Sequence, residues 1–125
     1  SGIVVKGYYK PSYSLVKHYG ITSIENNNIY IYHNDPDNTI NESGGSIQKT
    51  KLSEWLKQWD VEEFYDSGLN TYEIKKEVKK HIHKKFNWVT FNCIQFIKKV
   101  TKRPIKTKHP TGISVIDAMF YGKKK

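Results

Sequence analysis

The one cysteine of this chain falls where a helix is predicted to begin. In Thr90-Phe91-Asn92-Cys93-Ile94-Gln95-Phe96-Ile97, Asn92 is a good N-cap, and Gln95, three residues on, completes a capping-box pattern. Cys93 is then the first helical residue. Unpaired backbone N–H groups and the positive end of the helix dipole favour a thiolate there. Nucleophilic cysteine enzymes use this arrangement. The same position also suits a buried free cysteine that only packs.

A nucleophile needs a base, and the chain offers five histidines. His81 and His83 lie in a lysine-rich helical pattern, and His109 in a Pro-flanked loop. His18 and His33 differ, because each falls in a strand-like run: Ser14-Leu15-Val16-Lys17-His18-Tyr19-Gly20-Ile21 and Ile29-Tyr30-Ile31-Tyr32-His33. Asn26-Asn27-Asn28 between them is turn-prone. Paired as a hairpin, the runs bring both imidazoles to one end of a sheet. They could equally be polar strand-end residues without chemistry. If Cys93 pairs with His18, its thiol is expected to titrate below the ordinary value of about 8.5.

His18-Tyr19-Gly20-Ile21, a short strand ending at His33, and Asn92-Cys93 opening a helix together resemble the H-box/NC-box family. That family includes the lecithin:retinol acyltransferase proteins and the 2A proteins of some picornaviruses. It is a circularly permuted branch of the papain-like NlpC-type thiol hydrolases. The segment from Gly44 to Leu56 resembles the strand and helix after the H-box. Tyr72 to Phe86 resembles the helix before the NC-box, and Asn87-Trp88-Val89-Thr90-Phe91 the strand leading into it. The resemblance covers roughly residues 14–102 and rests on order, histidine first and cysteine late. It implies that His18 is the general base, that His33 orients it, and that Cys93 takes an acyl group. Asn92 matches the residue before the nucleophile. Cellular members follow Asn-Cys with Glu-His-Phe, whereas this chain has Ile94-Gln95-Phe96. The spacing between the two histidines is also longer here.

Charge is spread unevenly. Residues 1–74 hold six lysines against ten acids, a net −4, and residues 75–125 hold fifteen basic residues against two acids, a net +13. This asymmetry predicts an anionic partner, RNA or an anionic membrane surface. Lys75, Lys76, Lys79, Lys80, Lys84 and Lys85 recur at helical spacing, with Ile74, Val78 and Ile82 opposite. Lys98, Lys99, Lys102, Arg103 and the terminal Lys123-Lys124-Lys125 extend the basic half. The predicted nucleic-acid set is Lys75, Lys76, Lys79, Lys80, Lys98, Lys99 and Arg103, reading phosphates. A basic helix face can also be merely solvated.

The chain reads as a single domain over 1–125. No apolar run reaches the roughly 18 residues needed to span a bilayer. A lone cysteine cannot form an intramolecular disulfide and fits a reducing compartment, the cytoplasm (the host cytoplasm if the chain is viral). No cofactor motif stands out. No metal is expected, since no Cys/His cluster has ligand spacing and His81 and His83 are two apart on a helix.

Strands are predicted at Ile3–Val5, Ser14–Thr22, Ile29–His33, Ser46–Thr50 and Trp88–Phe91, and Val61–Tyr65 reads either as a strand or as a continuation of the helix before it. Helices are predicted after Ser53 as N-cap, from Asn70 with Glu73 as a capping box, from Cys93 to about Val100, and after Ser114. Asp35 to Gly45 reads as a polar loop. The expected fold class is α+β, a small antiparallel sheet with packed helices of the permuted papain-like type. Two functions follow from the resemblance and the charge. One is a picornavirus 2A-type non-structural protein acting in replication or host interaction, binding RNA or host proteins. The other is a cysteine-dependent acyltransferase or phospholipase A-type enzyme with an acyl-lipid substrate and a Cys93-His18-His33 site.

Overall fold

The computed structural model describes residues 1–12, 16–36 and 42–106. Ser14 and Leu15 of one predicted strand, the helix predicted after Ser114, His109 and the terminal lysines lie outside the described residues. Five strands form one antiparallel sheet: β1 Ile3–Tyr9, β2 Lys17–Glu25, β3 Asn28–Asn34, β4 Ile47–Lys51 and β5 Trp59–Asp66. Their spatial order is β4-β3-β2-β1-β5. Three helices accompany it: α1 Leu52–Trp55, α2 Thr71–His81 and α3 Cys93–Thr101. The α+β class and the small antiparallel sheet expected from the sequence are both present.

Strand alternation gives the sheet two apolar faces. Val4, Tyr19, Ile21, Tyr32 and Ile47 meet Ile74 and Val78 of α2 and Phe96, Ile97 and Val100 of α3. Ile3, Val5, Ile31 and Phe64 meet Leu52 and Trp55 of α1 on the other face. Phe96 is fully buried; a phenyl ring so placed contributes about 2–3 kcal/mol of transfer free energy. β5 carries a bulge against β1, where the register slips between Lys6 and Gly7. Glu62, the extra residue, pairs with Lys6 at 3.1 Å and also with Lys17.

Both predicted capping boxes form. Asn70 accepts from the Glu73 backbone N–H at 2.8 Å, and the Glu73 carboxylate accepts from the Asn70 N–H at 3.1 Å. At α3, Asn92 accepts from Ile94 and Gln95 at 2.9 and 3.0 Å, and Gln95 accepts from Asn92 N–H at 3.1 Å.

Three elements differ from expectation. α1 starts at Leu52, so Ser53 is inside it, and Lys51 at the N-cap makes no side-chain cap. α2 stops at His81 rather than running on to Phe86. The loop at 42–46 takes over beyond it: the Lys84 carbonyl accepts from Ser46 N–H at 3.0 Å, and the Ser43 carbonyl lies 2.7 Å from the His83 ring. Gly45 is required there, since a Cβ would stand 2.0 Å from the Ile82 carbonyl oxygen. Lastly, Trp88–Phe91 is not a strand but a closed turn, bridged between Asn87 and Phe91. The Asn87 side-chain oxygen accepts from Val89 and Thr90, each at 2.9 Å, which satisfies the N–H groups a strand would have paired.

Candidate functional site

Asn26 and Asn27 both sit in the left-handed region, with φ of 51° and 64°. They make the two-residue turn that a tight hairpin requires. The turn fixes the register of β2 on β3 down to Gly20 opposite His33. His18 lies two residues beyond, on the same face as His33. There its Nε2 stands 2.9 Å from His33 Nδ1. The two rings meet edge to face at 89°. His33 Nε2 is in turn 2.8 Å from Thr50 Oγ1 on β4. The His18 ring stacks toward Trp59 and Trp55, with centroids at 4.8 and 6.4 Å.

Both imidazoles are buried. Burial pushes His18 down to about 4. Burial, helped by neighbouring His18, pushes His33 down to about 3, against the opposing pull of Asp35. Near pH 7 the pair is therefore neutral, joined by one N–H···N bond. Asp35 completes a cluster: one ligating atom each from His18, His33 and Asp35 lie within 4.8 Å of one another.

Cys93 opens α3 as expected, and it is half-buried among the α2–α3 cluster. Burial pushes its thiol up, and the Asp35 carboxylate adds to this. The N–H groups of Tyr19, Cys93 and Ile94 pull the other way without offsetting burial. The lowered thiol expected of a Cys93–His18 pair is therefore not what this environment produces. The thiol approaches β2 at Tyr19, the residue beside His18. The imidazoles lie on the α1 face, whereas α3 packs on the other. Among the described residues no hydrogen bond joins the Cys93 thiol to either imidazole. The hairpin brings His18 and His33 together and sets Cys93 next to the same strand.

Asn34 anchors the two parts. It is fully buried, donates to the Phe91 carbonyl at 2.8 Å, and accepts from the Ser46 hydroxyl. It ties the end of β3 to the start of α3.

The predicted lysines lie on α2 and α3, and Arg103 just beyond the end of α3. Lys75, Lys76, Lys79, Lys80, Lys98, Lys99 and Arg103 are exposed, while Ile74 and Val78 are buried. Two lysines are engaged internally: Lys75 with Glu25 at 3.3 Å and Lys80 with Glu77 at 2.9 Å. Among the described residues no ion pair involves Lys76, Lys79, Lys98, Lys99 or Arg103. An open groove of about 920 Å³ follows α2, lined by Tyr32, Tyr72, Val78, Lys75, Lys76 and Lys79 among others. Tyr72 is 72% exposed there. Cys93, His18 and His33 do not line it.

Thr50, Asp35, Asn34 and Tyr19 are site residues that the sequence alone does not single out. Asp35 had a signal: it follows His33 by two residues, so an extended chain puts both on one face. Thr50 had none, because its role depends on how β4 registers on β3.

No protein-family model, curated protein or solved structure matches the chain. No helix among the described residues is long and apolar enough to cross a membrane.

Proposed function

We propose that this protein is a binding domain of the H-box/NC-box, picornavirus 2A type, and that its partner is RNA held along α2. The groove beside α2 carries the proposal. Lys76 and Lys79 stand at its rim outside any internal ion pair, and exposed Tyr72 offers a ring face on which a base can stack. Lysines at this spacing meet phosphates as point charges and carry no base information. The raised Cys93 thiol favours this reading over thiol chemistry, because a nucleophilic cysteine needs its thiolate at working pH. Filter binding of a single-stranded RNA at two salt concentrations tests it. Affinity should fall steeply as salt rises, through counterion release. Weak binding with no salt dependence would sink the proposal.

One observation favours the second reading, a thiol acyltransferase. A neutral, buried imidazole pair sits beside Tyr19, whose N–H faces the thiol. That reaction requires the Cys93 side chain to leave the α3 face for the imidazoles; its proton then passes to His18 as the sulfur bonds to the ester carbonyl carbon. The alcohol then leaves with that proton, and a thioester remains on Cys93. An acyl adduct on Cys93, seen by mass spectrometry after incubation with a short-chain phospholipid and lost in Cys93→Ser, would establish it.

A further inference from the structure

We infer that His18, His33 and Asp35 form a binding site for one divalent transition-metal ion, independently of the groove along α2. His18 Nε2 and His33 Nδ1 are 2.9 Å apart. Neighbouring ligands about 2.1 Å from an octahedral ion stand about 3 Å apart, and about 3.4 Å for a tetrahedral one. The nitrogens thus already stand at the spacing of two adjacent ligands, or within about half an ångström of it. An Asp35 ligating atom lies within 4.8 Å of both. That supplies the carboxylate of a two-histidine, one-carboxylate set, which suits zinc, iron(II), cobalt or manganese and leaves positions for water.

The surroundings are those of a metal site. A ligating histidine commonly donates its other ring N–H to an oxygen, which fixes its tautomer. His33 Nε2 has Thr50 Oγ1 at 2.8 Å, an oxygen that can accept a proton held on Nε2 and so leave Nδ1 as a lone pair for the metal. Trp55 and Trp59 hold the His18 ring in place. Register explains the third ligand: the ladder ends with Gly20 opposite His33, so Asp35 falls across from His18. Asp35 is only half-buried, which leaves the ion an approach from solvent. On binding, the proton on His18 moves from Nε2 to Nδ1 and the N–H···N bond is replaced by two metal–nitrogen bonds. The same lone pairs then cannot serve the thiol.

Titration of the chelator-treated full chain with cobalt(II), followed by visible absorption, and with zinc(II), followed by calorimetry, tests the site. One ion per chain is expected. His33→Ala should weaken binding at least 100-fold, Asp35→Asn and Thr50→Val each about tenfold. His81→Ala with His83→Ala should leave it unchanged. In the unaltered protein, zinc(II) should shift the ring nitrogen resonances of His18 and His33 and no others, a readout that holds even where a variant does not fold. No binding below millimolar metal, or binding lost with His81 and His83 while the His18 and His33 resonances stay in place, overturns the inference.

Discussion

His18 Nε2 lies 2.9 Å from His33 Nδ1, and both rings are buried, that of His18 against the tryptophans of α1 and β5. A buried pair of this kind is stable only while neutral, so its protonation is linked to folding. His18 is held at about 4 in the native protein, against about 6.5 in the unfolded chain. Above pH 6.5 neither state binds the proton and the full stability is present. Below it the unfolded chain takes up protons first, and stability falls until the native His18 titrates near 4. The loss is on the order of 3 kcal/mol for His18 alone. Urea midpoints at pH 7.5, 5.5 and 4.5 should decrease in that order. His18→Phe, which keeps an aromatic ring against Trp59, should flatten the slope. An unchanged midpoint between pH 7.5 and 4.5 would contradict the buried pair.

Cys93 should behave as a thiol rather than a thiolate at neutral pH. Burial raises it, despite the helix start. Iodoacetamide labelling is expected to climb only above the ordinary range near 8.5, with His18→Ala making no difference. A labelling midpoint near 6 or 7 that His18→Ala abolishes would transfer support to the acyltransferase reading.

Glu25 should be among the costliest polar residues to remove. It is buried at the end of β2 and accepts from Tyr32 Oη at 2.8 Å, Lys49 at 2.8 Å, Ser23 at 3.1 Å and Lys75 at 3.3 Å. Burial alone would raise its carboxyl, but Lys49, Tyr32, Ser23 and Lys75 together hold it at about 2. Its contribution is complete above about pH 4.5 and is lost as pH falls through 2. Glu25→Ala leaves the Tyr32 hydroxyl and two lysines, Lys49 and Lys75, without their acceptor, and should cost about 2–4 kcal/mol at pH 7. Denaturant titration measures it. A loss under about 0.5 kcal/mol would mean water replaces the carboxylate freely.

Local signals in the sequence carry far in this chain. The capping boxes at Asn70 and Asn92 need only residues three apart, and both form. The Asn26-Asn27 turn fixes register, and register alone places His18 beside His33. What stays hidden depends on distant partners. Trp88–Phe91 looks like a strand, since Trp, Val, Thr and Phe favour one. Asn87 supplies a competing acceptor and closes the turn instead. The end of α2 has no glycine or proline; it is set by a loop some 40 residues earlier in the chain. The Lys75–Glu25 pair also follows from packing, whereas Lys80–Glu77 is a local pair three residues apart within α2.

Those ion pairs decide how the RNA proposal must be tested. From the sequence alone, reversing Lys75, Lys76, Lys79 and Lys80 together is expected to leave the fold intact. Lys75 pairs with Glu25 and Lys80 with Glu77, so Lys75→Glu puts a second carboxylate beside a buried one. That variant should lose stability for reasons unrelated to RNA. Lys76→Glu with Lys79→Glu touches only the groove rim and should keep the midpoint within about 0.5 kcal/mol of the parent. Its RNA affinity should fall alike for unrelated sequences. The slope of log affinity against log salt should flatten by about 0.7 for each single-strand phosphate that is no longer neutralised. Tyr72→Ala should weaken single-stranded RNA more than duplex, because only an unpaired base can stack on the ring. Filter binding at several salt concentrations, with circular dichroism on each variant, separates these effects. A folded double variant with unchanged affinity and slope would make α2 a solvated face and overturn the proposal that RNA is held along it.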